Sequence, residues 1–256
     1  MKDNTLLVEK YRPTVLQDYV GNEQVKDTIQ KYLDQNDIQN FIFYGPAGTG
    51  KTTLAKLIVK NLDCDYLYIN ASDENGIDTI REKVKGFASA ASWKGIKVVI
   101  LDEADFITIN GQAALRNVIE TFSRSTRFIL TCNFIERIID PIQSRCQTLK
   151  IVPPSKSAIA KRLASIMGLE NISHDIKEVA TIVNKNYPDV RKMLNTIQLS
   201  NKDGEIKIDE SVLASNSYAK EVIKELTKTK SWVKIRQIIA DSGVKDFEEL
   251  YRLLFE

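Results

Sequence analysis

Cysteine and histidine are scarce in this sequence. Its 256 residues include three cysteines and a single histidine. Cys64, Cys132 and Cys146 lie far apart in the chain, and only His174 could join them as a ligand. Zinc sites and disulfide frameworks both need suitably spaced partner residues. We therefore predict neither, and a reducing cytosol is the simplest compartment for the protein.

Long apolar runs and a strong charge imbalance are also missing. No stretch approaches the roughly 20 apolar residues that a membrane-spanning helix needs, and the N-terminal MKDNTLLVEKYRP has no apolar signal-peptide core. We expect a cytoplasmic protein without a membrane partner, or one made inside a host cell. The formal net charge is only +2, so any DNA-binding surface must come from local placement of Lys and Arg.

The stretch from Phe41 to Thr53, FIFYGPAGTGKTT, carries the strongest functional signal. An apolar strand-like run breaks at Gly45-Pro46, and the pattern G-x-x-x-x-G-K-T leads into a helical period from Leu54 onward. Such loops bind phosphates because glycine lets backbone N–H groups turn inward, and the helix N-terminus adds a favourable dipole. We predict that Lys51 contacts the β- and γ-phosphates of a nucleotide and that Thr52 contacts Mg²⁺. A chance glycine-rich turn is the alternative.

Short apolar strands alternate with helices as far as residue 152. This order predicts an α/β domain over residues 1–152, with a parallel five-stranded sheet covered by helices on both faces. Beyond Pro153-Pro154 the patterns are mainly helical, which predicts a small helical domain over residues 153–216 and the opening helices of another bundle over residues 217–256. The predicted strands are Phe41 to Tyr44, Tyr66 to Asn70, Ile96 to Leu101, Arg127 to Cys132 and Gln147 to Val152.

Two carboxylates follow the third predicted strand. Asp102 and Glu103 come directly after Val98-Val99-Ile100-Leu101, at the sheet edge where ligands bind in open α/β folds. We predict that Asp102 joins the Mg²⁺ shell and that Glu103 orients and polarises the attacking water. A solvated acidic turn is the alternative, which the upstream phosphate loop disfavours.

Three further polar residues carry weaker signals. Asn133 ends the next strand and could hydrogen-bond the γ-phosphate or the water, or it could be an ordinary turn asparagine. Arg145 follows a turn at Pro141 and is either a solvated surface arginine or an arginine finger directed into a neighbouring subunit. Arg191 lies in the first turn of a predicted helix, where a cation opposes the helix dipole. That position suggests a phosphate partner, with a salt bridge to Asp189 as the alternative.

Several motifs occur together and in order. They are GPAGTGKT, VVILDEAD, TCN, SRC and PDVRK. The set resembles AAA+ ATPases of the sliding-clamp loader family. Within it, EKYRP, NASDENGID and QSRC resemble replication factor C small subunits, whereas FASAAS and KNYPDVRK resemble the large subunit of the T-even-type bacteriophage clamp loader. The resemblance covers residues 1–200 well and the remainder poorly.

This resemblance implies an AAA+ fold, in which the nucleotide domain is followed by a helical lid and the start of a helical collar. It also implies that ATP and Mg²⁺ are the cofactors, that Arg191 is a sensor in the lid and that Arg145 acts on the neighbour's site. The residues it places around the nucleotide are Val8, Glu9, Lys10, Tyr11, Arg12 and Val20 at the adenine, and Gly45, Gly48, Thr49, Gly50, Lys51, Thr52 and Thr53 at the phosphates.

The resemblance further implies residues that respond to DNA. Gln112 and Arg116, one turn apart on a helix predicted over Gln112 to Phe122, match a pair that couples neighbouring subunits and DNA to the catalytic site. An exposed polar stripe is their alternative interpretation. Candidate DNA phosphate contacts, near the starts of two helices, are Arg81, Lys85, Thr108 and Asn110.

The implied function is that of a clamp-loader motor. ATP binding would assemble a spiral that opens the sliding clamp, primed DNA would enter, and hydrolysis would release the closed clamp. The expected partners are further copies of this chain within a hetero-pentameric loader, the sliding clamp and primer-template DNA, in the bacterial host cytoplasm if the chain is phage-encoded. The alternatives are another AAA+ DNA motor, such as a branch-migration helicase, and a non-enzymatic ATP-binding scaffold. The intact Lys51, Asp102 and Glu103 disfavour the scaffold.

Overall fold

The computed structural model describes residues 6–202 and 204–206, residue 222, and residues 225–227 and 232–241. The strands are β1 (Phe41–Tyr44), β2 (Cys64–Asn70), β3 (Ile96–Asp102), β4 (Thr126–Cys132), β5 (Gln147–Lys150), β6 (Asn201–Lys202) and β7 (Glu205–Ile206). The α-helices are α1 (Leu7–Lys10), α2 (Glu23–Asp34), α3 (Lys51–Asn61), α4 (Ile77–Thr79), α5 (Lys85–Ser89), α6 (Ile109–Thr121), α7 (Asp140–Gln143), α8 (Lys156–Leu169), α9 (Ile176–Asn186), α10 (Val190–Ser200) and α11 (Trp232–Asp241). A π-helical turn, Ile80–Val84, joins α4 to α5, and 3₁₀ turns occupy Leu16–Asp18, Ala104–Phe106 and Ile135–Arg137.

Five parallel strands form the central sheet, in the order β2-β3-β4-β1-β5. The predicted α/β fold with a parallel five-stranded sheet is therefore confirmed. In β1, Phe41 lies opposite Ile129 of β4 on one side and Gln147 of β5 on the other. Because all five strands run in the same direction, the loop after β1 and the acidic end of β3 lie at one edge of the sheet.

Helices cover both faces of this sheet. Successive side chains of a strand point to opposite faces, so Phe41 and Phe43 pack with Leu54 of α3, whereas Ile42 packs with Leu115 of α6. All five of these side chains are fully buried. Each such burial contributes about 1.5–3 kcal/mol, which explains the apolar runs FIFY in β1, VVIL in β3 and FIL in β4.

The small helical domain has a core of its own, built from α8, α9 and α10. Leu163, Ile182 and Met193 are buried at its centre. Leu7 of α1 belongs to the same cluster, and its backbone N–H donates to Gln198 Oε1 over 2.9 Å. The N-terminal segment, which the sequence grouped with residues 1–152, thus packs against the lid and ties the two parts together.

Element boundaries differ modestly from those predicted. Helix α6 begins at Ile109, earlier than the predicted Gln112, because Thr108 caps it by accepting a hydrogen bond from Gly111 N over 3.2 Å. A short antiparallel hairpin of β6 and β7 follows α10. Within the predicted collar segment, the structure describes residue 222 and residues 225–227 and 232–241, and the remainder of that prediction lies outside the described residues.

Among the described residues, no helix combines the length and the apolar character required to cross a membrane.

Candidate nucleotide site

The loop between β1 and α3 can adopt its conformation only with glycine at key positions. Gly48 has φ +72°, and a Cβ atom there would lie 2.1 Å from Asp189 Oδ1. Gly45 has φ +148°, and a Cβ atom there would lie 2.3 Å from the carbonyl oxygen of Ile151. Buried Tyr19 supports the loop from outside by donating to the carbonyl of Thr49 over 3.2 Å. The loop is therefore packed between the sheet and the first turn of α10.

Lys51 is the first residue of α3 and is buried under the loop. Its ammonium group donates to the carbonyls of Gly45 (2.9 Å) and Pro46 (2.8 Å) and to Asn133 Oδ1 (2.8 Å). Desolvation lowers the pKa of Lys51, and the nearby thiol of Cys132 and carboxylate of Asp105 act in the opposite direction. The three acceptors hold the cation at the point where the loop would receive phosphate.

Asp102 is the centre of a hydroxyl network at the end of β3. Its Oδ1 accepts hydrogen bonds from Thr52 Oγ1 (2.8 Å) and Thr131 Oγ1 (2.5 Å), and its Oδ2 accepts one from the Tyr68 hydroxyl (2.8 Å). Asp102 is buried, with 6% exposure. Three donors from three separate elements therefore fix the orientation of this carboxylate.

Glu103 is exposed at the same edge and has left-handed backbone geometry, φ +55°. Its backbone N–H donates to Thr131 Oγ1 over 3.1 Å. Two residues further on, Asp105 Oδ2 accepts hydrogen bonds from the backbone N–H groups of Asn133 (3.2 Å) and Phe134 (3.3 Å), while its buried Oδ1 has no hydrogen-bond partner among the described residues. Asp105 thus fastens the acidic turn to the segment that carries Asn133.

These residues suit ATP and Mg²⁺. Lys51 and the glycine-rich loop form a phosphate cradle that a side chain at Gly48 would obstruct. The donor set beside it is a hydroxyl and a carboxylate, Thr52 and Asp102. Mg²⁺ in nucleotide sites is held by one or two carboxylates together with substrate phosphates and waters, so this set is sufficient for a magnesium nucleotide.

A cavity beside the loop is lined by α1, the segment before α2, the loop itself and the lid. Val8, Tyr11, Arg12 and Val20 line it, as do Gly48, Thr49, Gly50, Lys51, Thr52, Thr53 and Arg191. The lid contributes mainly apolar side chains, including Ile159, Leu163 and Leu194. An apolar slot next to a phosphate cradle matches the shape of a nucleoside triphosphate.

Glu9 and Lys10, predicted to border the adenine, are not among the residues that line this cavity. Residues three apart share one face of a helix, so Val8 and Tyr11 face the cavity together. Glu9 instead accepts a hydrogen bond from Arg12 over 2.5 Å, and Lys10 pairs with Glu170 over 2.6 Å. The side chains of Glu9 and Lys10 therefore pair with neighbouring charged groups and do not line the cavity.

The two candidate arginines lie in different places. Arg191 lines the cavity. Asp189 caps α10 by accepting a hydrogen bond from Lys192 N over 3.0 Å. The alternative, a salt bridge between Arg191 and Asp189, is not found among the ion pairs of the described residues. Arg145 instead precedes β5, whose first residue pairs with the first residue of β1. It therefore lies at the edge of the sheet opposite the phosphate loop, where its guanidinium pairs with Glu120 over 2.5 Å.

Gln112 is buried, so the exposed polar stripe does not describe it. Its amide nitrogen donates to the carbonyls of Ile107 (3.0 Å) and Arg137 (2.9 Å), and its oxygen accepts from Ile139 N (2.8 Å). Arg116, one turn further along α6, is half-buried and donates to Asn117 Oδ1 over 2.9 Å. Gln112 thus joins α6 to the segment that leads to Arg145.

Three of the four candidate DNA contacts line the same groove. Arg81, Lys85 and Asn110 line a groove between the α4–α5 helix and α6, and Arg116 lines it as well. Thr108 is exposed at the start of α6, where its side chain caps the helix. The groove therefore combines three cationic side chains with the N-terminal end of a helix.

Sequence reasoning missed Tyr19, Tyr68, Thr131 and Asp105. Thr131 and Tyr68 are polar residues near the carboxyl ends of strands, which is a signal that can be read from sequence once strand limits are known. Asp105 lies in the same acidic turn as Asp102, but its contacts with the next strand depend on the pairing of β3 with β4.

Comparison with known proteins agrees with this geometry. Residues 41–154 match the ATPase family associated with various cellular activities (AAA). A replication factor C small subunit of Halobacterium salinarum is 40% identical over 219 residues, which cover 83% of this chain and 68% of that protein. The corresponding protein of Haloarcula marismortui is 35% identical, with 97% and 82% covered.

The solved structure of the Thermotoga maritima RuvB Holliday junction branch migration motor has a TM-score of 0.69, with 96% of this chain and 88% of that chain covered. Sequence identity is only 17%, so this likeness concerns the fold alone. The two replication factor C relatives described above are archaeal, and they lend no support to a bacteriophage origin.

Proposed function

This chain belongs to the replication factor C small subunit family of AAA ATPases, and on that premise we propose that it is an ATP-driven motor subunit of a sliding-clamp loader. It opens the ring-shaped clamp, places it on primer-template DNA, and hydrolyses ATP to release it. The observation that carries the proposal is the convergence of Lys51, Asn133, Thr52 and Asp102 at one sheet edge, in a chain with these relatives. The loader contains several subunits, and further copies of this chain within a hetero-pentamer are our proposal for its composition.

The residues at the sheet edge divide the work of hydrolysis. Lys51 and Asn133 contact the γ-phosphate, and Glu103 polarises the attacking water. Thr52 and Asp102 would hold Mg²⁺, which neutralises charge on the β- and γ-phosphate oxygens when bound. Lys51 already lies within 2.8 Å of Asn133 Oδ1, so the two groups are positioned to act on the same phosphate.

Arg145 acts in the neighbouring subunit. It lies at the sheet edge opposite its own phosphate loop and is 37% exposed, so it is available to an adjacent subunit and remote from its own site. Arg191, at the start of α10 and lining the cavity, is the lid residue that contacts the γ-phosphate. Closing the lid on ATP and docking the neighbour would complete the site with two cations.

The groove between the α4–α5 helix and α6 receives the DNA backbone. Arg81, Lys85 and Asn110 contact phosphates there, with Thr108 at the start of α6. Phosphate contacts of this kind position a protein without reading sequence. Arg116 in the groove and buried Gln112 on the same helix then link DNA to the segment carrying Arg145.

Trp93 is the residue that we assign to clamp contact. Its side chain is 97% exposed, although its loop is ordered by Asp65, which accepts hydrogen bonds from Ser92 Oγ (2.8 Å) and Trp93 N (3.1 Å). The hydrogen bond from Ser92 lowers the pKa of Asp65, which keeps this acceptor ionised. Tryptophan is enriched at binding hot spots, and the anchored backbone presents this one to solvent.

Steady-state ATP hydrolysis tests the proposal. The chain and its partner subunit would be assayed alone, with primed duplex DNA, and with DNA plus the sliding clamp, with Glu103→Gln as the hydrolysis-defective control. We expect stimulation by DNA and clamp together to exceed the sum of their separate effects, and Trp93→Ala to lose only the clamp-dependent part. Stimulation by DNA alone, indifferent to the clamp, would instead indicate a DNA motor.

A further inference from the structure

Tyr68 occupies a position in the site that its residue type does not reveal. It lies on β2, which pairs with β3 so that Tyr68 is opposite Ile100 and Asn70 is opposite Asp102. Its hydroxyl reaches the last residue of β3 and donates to Asp102 Oδ2 over 2.8 Å. It is the one described hydrogen-bond donor to that oxygen, since Thr52 and Thr131 both donate to Oδ1.

The aromatic ring of Tyr68 makes a second contact within the site. The ammonium group of Lys56, on α3, lies 4.3 Å from the ring centroid. Helix α3 begins at Lys51 and also carries Thr52. Tyr68 therefore contacts both the helix that follows the phosphate loop and the carboxylate at the end of β3.

The hydrogen bond from Tyr68 holds the Asp102 carboxylate in one orientation. Because Thr52 and Thr131 both donate to Oδ1, a donor on Oδ2 opposes rotation of the carboxylate about its last bond. Outer hydrogen bonds of this kind orient metal-binding carboxylates, and their loss typically costs about 10- to 100-fold in metal affinity or activity.

We propose that Tyr68 is a positioning residue for the divalent cation, holding Asp102 so that its carboxylate faces the nucleotide phosphates. The proposal rests on the function given above only in that Asp102 serves a magnesium nucleotide. In this role Tyr68 touches neither the substrate nor the attacking water, and it acts through Asp102.

The test uses Tyr68→Phe in the full-length chain, which removes one oxygen and leaves the ring in contact with Lys56. Tyr66→Phe is the matched control, because Tyr66 lies two residues earlier on the same face of β2 and is 55% exposed. Mn²⁺ binding to the ADP-loaded chain would be measured by electron paramagnetic resonance, and nucleotide binding would be measured separately in EDTA.

We expect Tyr68→Phe to raise the dissociation constant for Mn²⁺ by about tenfold or more, with nucleotide affinity in EDTA unchanged. The Mg²⁺ concentration for half-maximal hydrolysis should rise by a similar factor, and kcat should recover at saturating Mg²⁺. Tyr66→Phe should match the wild type in every assay. Mn²⁺ affinity of Tyr68→Phe within twofold of that control would overturn the proposal.

A second measurement needs neither metal nor turnover. The melting temperature of the metal-free chain would be compared for Tyr68→Phe, Asp102→Ala and the double variant. The effects of substitutions at two residues in direct contact are not additive. We therefore expect the decrease in melting temperature caused by Tyr68→Phe to disappear when Asp102→Ala is also present. Full additivity would contradict the contact. Neither measurement depends on clamp or DNA, so failure of the loader function and failure of this proposal are distinguishable.

Discussion

Arg145→Ala should reduce catalysis far more than it reduces the stability of the fold. In Arg145→Ala three contacts are lost. They are the ion pair with Glu120, in which the side chains are 37% and 46% exposed, and hydrogen bonds to the carbonyl of Pro141 and to Ser144 Oγ. Exposed pairs contribute at most about 1 kcal/mol, which corresponds to about 2–4 °C in melting temperature for a chain of this size. An arginine finger, in contrast, contributes about a thousandfold or more to phosphoryl transfer, or roughly 4 kcal/mol.

Mixing two variants in one assembly decides whether Arg145 acts in the neighbouring subunit or in its own. Arg145→Ala keeps an intact phosphate loop, whereas Lys51→Ala keeps an intact finger. Each variant alone should be inactive in the assembled loader. In a mixed assembly, a Lys51→Ala subunit can supply Arg145 to the site of an Arg145→Ala neighbour, so part of the activity should return.

Nucleotide binding provides the control for this experiment. Because Arg145 lies at the sheet edge opposite its own phosphate loop, Arg145→Ala should bind ATP with nearly wild-type affinity. Loss of ATP binding together with hydrolysis, and no recovery on mixing, would refute the reasoning and place Arg145 in its own subunit's site.

Three further outcomes follow from the site. Asn133→Ala removes one of the three acceptors of Lys51, and we expect kcat to fall about 10²-fold, the scale of a lost polar contact to developing charge, with little change in ATP affinity measured by equilibrium titration. Desolvation lowers the pKa of Lys51 below its usual 10.5, so the unfolded chain binds this proton more tightly than the folded chain. Relative to Lys51→Met, the nucleotide-free wild type should therefore gain stability as the pH rises from that lowered pKa towards 10.5. A difference in melting temperature between the two proteins that does not change with pH would contradict this. Gly48→Ala forces a Cβ into the first turn of α10 and should weaken ATP binding, whereas Gly168→Ala, with open space around its Cβ, should leave binding unchanged and stabilise α8 by up to about 1 kcal/mol.

Part of the site could be predicted because it is local in the chain. The phosphate loop is one uninterrupted segment between a strand and a helix, and the residues that form it fix their own geometry. Asp102 and Glu103 could be located for a similar reason, since an apolar strand delivers them to the sheet edge directly. Helix limits were harder to place. Helix α6 begins earlier than its apolar pattern indicated because Thr108 caps it. This cap is a single hydrogen bond, which the apolar pattern does not reveal.

Contacts between distant segments could not be predicted in this way. Lys51 and Asn133 are 82 residues apart, and the parallel pairing of β1 with β4 brings them together. The burial of Gln112 depends on the packing of α6 against the segment after β4, which the alternation of polar and apolar residues in α6 does not encode. The choice of Val8 and Tyr11 rather than Glu9 and Lys10 at the cavity depends on how α1 docks against the lid.

The sequence by itself determined the fold class, the phosphate loop, the acidic strand end and the order of motifs that indicates the family, because each is written in consecutive residues and in short periodic patterns. Only the tertiary structure decided which side chains complete the site. The hydroxyls of Tyr68 and Thr131 reach Asp102 through the register of β2 and β4 on β3, and Arg145 is kept from its own phosphate loop by the direction of β5. Strand register and helix docking are set by the packing of the whole core, so no single segment of the chain contains that information.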